Sequence, residues 1–161
     1  MKILKIDQAL ELCKSHLDNT GCRNTEIEIY IARYLQVMIC ASYEGKIKEI
    51  IAEKMSRTRK SYIQSFANSY MKNLLRSIKT GDLGEILNKF GSKYREKFIA
   101  KINQTVETQR AQTYFNNIVT ERHITAHDAG SSMTFDELVR MYNDSHIIID
   151  FFKEVLLGRT A

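Results

Sequence analysis

An all-α, single-domain bundle is the expected fold of this chain, and three observations lead there. No proline occurs in 161 residues, where average usage of about 5% would give roughly eight. Prolines punctuate turns, edge strands and linkers, so their absence disfavours an all-β sandwich or a string of short modules. Apolar residues recur at helical spacing almost from end to end. Two steps, Thr25–Glu28 and Thr134–Glu137, have the form of capping boxes at helix starts. A chain of this length suits one domain, residues 1–161, and is long enough to bury a core.

The elements follow in order. A short opening helix spans about residues 3–17, and LDNTGCRNT is a loop. Thr25 then caps a long central helix, with Ile27, Ile31, Tyr34, Leu35, Met38, Ala41, Ile47, Ile50 and Ile51 at helical spacing. Ile29, Val37 and Ile39 add a second apolar face, so this helix is expected to be covered on several sides. Gly45 within it suggests a close helix contact or a bend. A third helix over about 60–79 should end at a Gly81 C-cap. Asp82 should cap a short helix that Gly91 stops. Further helices are expected over about 93–103 and from Glu107 into Arg122. After the loop HDAGSSM, Thr134 caps a last helix running to Gly158, with Met133 and Leu138 as a hydrophobic staple.

Several classes are excluded. Lys2, Lys5, Asp7 and Glu11 interrupt the N-terminal stretch, which therefore lacks the apolar core of a signal peptide. No run approaches the roughly 18 apolar residues that cross a bilayer. Cys13, Cys22 and Cys40 are odd in number and lack CxxC spacing, so reduced thiols in a cytoplasmic protein are expected.

Charge is distributed unevenly. The net +5 resolves into −1 over residues 1–53, +9 over 54–101 and −3 over 102–161. Between Lys54 and Lys79 lie seven bases and no acid, including Arg57, Arg59, Lys60, Lys72 and Arg76, with Tyr62, Phe66 and Tyr70 interleaved. A solvated helix face normally mixes signs to gain i,i+4 pairs, whereas one sign alone matches the footprint of a nucleic-acid binder. The competing account is a merely basic surface whose aromatics are core.

Nucleotide-binding glycine loops, GxSxG and HExxH are all absent. Cys13 and His16 lack further ligands. His123 and His127 are spaced i,i+4, but Ile124 stands where a zincin carries glutamate. No metal or cofactor is expected.

The distinctive segment is Glu121-Arg122-His123-Ile124-Thr125-Ala126-His127-Asp128. Its Arg-x4-His, with a polar residue after the arginine, resembles the motif of the HEPN-domain ribonucleases, and of the RiboL-PSP-HEPN branch in particular. The resemblance extends from about Thr25 to Leu157. It includes the Tyr43-Glu44 step in the central helix, a basic helical insertion over about 54–101, and a capped C-terminal helix. It implies a metal-independent endoribonuclease whose active site forms between two copies of the chain. It further implies a toxin or antiviral-defence role, with an antitoxin or defence-system partner. Family roles assign proton transfer to His127, phosphate binding to Arg122 and support to His123, with Glu44 and Asp128 as weaker candidates. Tyr43 is expected in the core. Two departures are specific to this chain. Ala129 replaces the tyrosine that is modified in HEPN toxins paired with a nucleotidyltransferase, and Asp128 replaces a common glycine.

The residue chemistry fits that assignment. RNA is cleaved without metal when a base deprotonates the 2′-hydroxyl, an acid protonates the departing 5′-oxygen, and a cation stabilises the phosphorane. Histidine suits either proton transfer near neutrality, and arginine binds phosphate bidentately while staying charged. Positions i and i+5 of an ideal helix lie about 140° apart, so Arg122 and His127 are expected to converge only if the helix ends between them. One histidine is sparse equipment for both acid and base, which a two-fold dimer would remedy. The alternatives are a non-catalytic helical module that binds RNA or a protein, and a purely structural bundle.

Overall fold

The computed structural model describes residues 3–57, 78–120 and 133–158 in full, and 121–127 as helical backbone. Among the described residues there are seven helices and no strand: α1 Leu4–Thr20, α2 Glu26–Ser56, α3 Thr80–Phe90, α4 Ser92–Ile102, α5 Val106–His127, α6 Phe135–Ser145 and α7 Ile147–Leu157. The all-α expectation holds.

α2 is the axis of the bundle. Its 31 residues span about 46 Å, and it packs against α1, α5, α6 and α7. Leu35, Ile39, Tyr43, Ile47 and Ile51 are buried along it and meet Phe115, Ile118, Phe135, Leu138, Phe152 and Leu156 in one core cluster. Helix α4 closes the far side through Phe98, whose ring meets Phe152 edge-on at 6.3 Å. Gly45 makes no close helix contact among the described residues. The helix runs through it, and nothing among the described residues lies within 4 Å of where a Cβ would stand.

Local sequence explains most boundaries. α1 continues three residues past its expected end and is closed by Gly21 in the left-handed conformation, at φ 67°, where glycine alone is unstrained. Gly91, at φ 135°, separates α3 from α4, and Gly158 at φ 68° ends α7. The Thr134–Glu137 capping box is present: Glu137 N–H donates to the threonine hydroxyl at 3.3 Å, and the Glu137 carboxylate accepts from Thr134 N–H at 2.9 Å. The bonds the carboxylate accepts from Thr134 N–H and from Thr134 Oγ1 hold the Glu137 carboxyl below the usual carboxylate range.

Other expectations are corrected. The Thr25 box does not form. Thr25 Oγ1 donates instead to Cys22 C=O at 2.7 Å, and Glu28 accepts from Asn24 N–H at 2.6 Å. Glu28 is drawn inward because its other oxygen accepts from Phe135 N–H at 3.1 Å, capping α6 across the bundle. The helix expected over 60–79 lies mostly outside the described residues. Of its expected last residues, Ile78 and Lys79 are not helical, and Gly81 lies inside α3 and is not a C-cap. Asp82 sits in the first turn of α3 and is not its cap. That turn is held from α5 instead, with Thr80 N–H donating to Asn116 Oδ1 at 2.9 Å. The last expected helix is two, broken at His146. α6 packs chiefly on α5, whereas α7 packs on α2 and α4, so the two segments follow different neighbours.

Arg23 gathers this corner. Its guanidinium pairs with Asp18 at 2.9 Å and Asp136 at 3.0 Å, reaches Glu28 at 3.8 Å, and lies 5.2 Å over the Phe135 ring. It thereby joins the end of α1, the start of α2 and the start of α6. Glu28→Ala strands the buried Phe135 N–H, while Arg23 keeps Asp18 and Asp136, and is expected to cost about 1–3 kcal/mol. Glu28→Gln, which keeps an acceptor, should cost less. Chemical denaturation of both variants measures the difference.

Candidate active site

The position of the Arg-x4-His segment follows from how α5 lies on α2. Gln36 Nε2 donates to Ile118 C=O at 2.9 Å, Cys40 Sγ reaches the same carbonyl at 3.6 Å, and Tyr43 stacks on Phe115 at 5.2 Å. Higher positions on α2 meet lower ones on α5, so the helices run antiparallel. Arg122 is one turn beyond Ile118 and therefore level with about position 32 of α2. His127 is level with about position 27.

α5 continues through His127 and does not end between the motif residues. At about 100° per residue, positions 122 and 127 then stand about 140° apart, whereas 123 and 127 stand about 40° apart. The expected convergence of Arg122 and His127 through helix termination is therefore corrected. Within one chain the helix brings the two histidine positions together and sets the arginine position on another face. Asp128 and Ala129 lie outside the described residues.

Glu44 is half-buried on α2, about 18–25 Å along the bundle from the levels of positions 122 and 127. Tyr43 is core, as expected. It is 0% exposed, flanked by Phe115 and Tyr142, and its hydroxyl pairs with Ser145 Oγ at 3.0 Å. Burial pushes the Tyr43 phenol up from its usual value.

Of the basic candidates, Arg59, Lys60, Lys72 and Arg76 lie outside the described residues. Arg57 ties α2 to α7, donating to Leu157 C=O at 2.8 Å and to Glu53 at 3.2 Å. Lys79 is half-buried at the start of α3. No group of three or more His, Cys, Asp or Glu that could hold a metal occurs among the described residues, nor is any described helix long and apolar enough to cross a membrane.

One feature of this end of the bundle runs against expectation. The outer face of α2 is uncovered: Ile27 is 47% exposed, Tyr30 61%, Tyr34 66% and Val37 45%, with Ala41 exposed beyond them. Their 3-4-3-4 spacing is that of a coiled-coil seam. The spacing is visible in the sequence, but helical periodicity alone does not say which apolar stripe faces inward. The stripe begins level with the motif end of α5.

No curated protein and no solved structure matches the chain. A protein family does. The family model described as RiboL-PSP-HEPN matches residues 2–158, nearly the whole all-α bundle and the Arg122–His127 segment within it. This chain belongs to the RiboL-PSP-HEPN family, a membership that points to an RNA-related role.

Proposed function

We propose that the protein is a metal-independent endoribonuclease, built as one domain and acting as a homodimer in the cytoplasm as a toxin or antiviral-defence effector. The observation that carries this reading is the family match over residues 2–158, together with Arg122 and His127 in the last turns of α5. In the proposed reaction a base takes the proton of the 2′-hydroxyl, and the 2′-oxygen bonds to the adjacent phosphorus. The phosphorus–5′-oxygen bond breaks as an acid protonates that oxygen. The products are a 2′,3′-cyclic phosphate and a 5′-hydroxyl. His127 carries proton transfer, assisted by His123, and Arg122 binds the phosphate as a fixed bidentate cation.

The helix geometry favours a dimer. With positions 122 and 127 about 140° apart on one helix, an arginine from one protomer can join a histidine from its partner in a shared cleft. The exposed stripe of α2 is the seam we assign to that dimer. The four residues from Ile27 to Val37 present on the order of 400 Å² per protomer, half of a standard interface, and they begin level with the motif. Tyr30→Glu combined with Tyr34→Glu is expected to convert the dimer to a monomer by light scattering at micromolar concentration. RNA cleavage should fall at least tenfold with it. A wild-type monomer that cleaves RNA at full rate would overturn the composite site.

Incubating the purified protein with total cellular RNA in EDTA tests for metal-free cleavage. Discrete fragments are expected. RNA binding without cleavage would favour the non-catalytic helical module, and cleavage only on adding a divalent metal would favour a ligand role for His123 and His127.

A further inference from the structure

The described part of the basic block contains a cleft at the opposite end of the bundle from the motif. Helix α4 presents Lys93 and Lys97 one turn apart, and neither has a carboxylate partner among the described residues. They line a cleft of about 340 Å³ with Lys54, Tyr94 and the apolar end of α7 at Val155 and Leu156. Lys54 is held in place by its neighbour, its ammonium 3.2 Å from the Tyr94 hydroxyl and 5.0 Å from the ring centre. The cleft continues past Lys97 into a second hollow of about 380 Å³ lined by Lys101 and Glu154, and there the acid is already engaged by Lys101 at 2.9 Å. Like charges one turn apart repel, and three lysines around one concave, apolar-floored surface create a focused positive potential. A polyanion relieves it.

We propose that this α4–α7 cleft is an exosite for RNA phosphate, separate from the cleaving motif. The inference rests on the ribonuclease reading above and adds a requirement on substrate length. Lys54 is 22 positions along α2 from the level of Arg122, about 33 Å at the helical rise. At the roughly 3.4 Å axial rise per nucleotide of a stacked strand, an RNA of about ten nucleotides spans both places. Shorter RNA reaches the motif without the exosite.

The test compares binding of fluorescein-labelled 20-nucleotide and 4-nucleotide oligouridylates to the full chain by fluorescence anisotropy, at 50 and 200 mM salt. The wild type should bind the longer RNA about tenfold more tightly than length-independent binding would allow. In Lys93→Glu/Lys97→Glu that advantage should disappear, and the slope of log affinity against log salt should fall by about 1.4, or 0.7 for each phosphate no longer neutralised. Lys93→Arg/Lys97→Arg should retain the advantage, and circular dichroism of both variants should match wild type. Equal length dependence in wild type and the glutamate variant overturns the exosite while leaving the ribonuclease reading intact. A wild type that binds neither RNA overturns both. Charge reversal that abolishes sedimentation with phosphatidylserine vesicles but leaves RNA binding unchanged overturns the RNA assignment in favour of a membrane surface.

Discussion

His127→Ala is expected to lower RNA cleavage by 10²-fold or more, within the range of about 10²–10⁴ that a positioned acid or base contributes. In a symmetric dimer the substitution removes both proton-transfer histidines at once, which places the effect toward the upper end. Stability should change little, because alanine is the best helix former and position 127 is the last residue of α5. Matching melting curves beside lost cleavage therefore separate a chemical role from a structural one. Arg122→Lys adds a second discrimination. Lysine keeps the charge but not the planar two-pronged donor, so an arginine that orients phosphate should lose about tenfold or more on this change. An arginine that merely complements the negative end of α5 should tolerate it.

The largest expected effect on stability is at Tyr43. Its ring lies nearly parallel to Phe115 and Tyr142, with centroids 5.2 and 6.3 Å away. It thereby joins α2 to α5 and α6 at the middle of the core. Tyr43→Ala removes a wholly buried aromatic and leaves a cavity between three helices, at a cost of about 3–5 kcal/mol. Against a total stability of about 5–15 kcal/mol, the melting temperature should fall by roughly 10 °C. Tyr43→Phe keeps the ring and removes only the hydroxyl bonded to Ser145, so about 1 kcal/mol is expected.

The same pair of phenols sets the alkaline limit of the fold. Burial raises Tyr43, and Tyr142 is raised to about 12, first by burial. A group whose folded value is raised contributes fully below its unfolded value, here near 10. That contribution is lost as pH rises through the folded value. Stability should therefore decline from about pH 10 upward, and Tyr43→Phe should soften the decline.

How far the sequence reveals this molecule depends on whether a feature is closed locally or by a distant partner. The α6 capping box is written in four consecutive residues and forms as written, because Thr134 and Glu137 satisfy each other. The same spelling at Thr25 fails because Glu28 finds Phe135 N–H, 107 positions away. Gly91 and Gly158 mark real boundaries through their own backbone conformations, whereas Gly81 is absorbed into α3 by a contact from Asn116. The break at His146 has no glycine or proline to announce it and follows from α6 and α7 packing on different helices. At the site, the motif and its place near the end of α5 are legible from residues alone. The continuation of the helix through His127 and the uncovered face at Tyr30 and Tyr34 are not, since both are set by which surfaces the rest of the chain leaves unfilled.

Attack by the 2′-oxygen leaves a signature on the ends of the cut RNA. A defined RNA is cleaved by the purified wild-type protein in excess EDTA, and each fragment is assigned by mass and by its response to polynucleotide kinase. A 2′,3′-cyclic phosphate is expected on the upstream fragment and a 5′-hydroxyl on the downstream one. A 5′-phosphate with a free 3′-hydroxyl would mean that water, not the 2′-oxygen, attacks, and would refute the proposed chemistry.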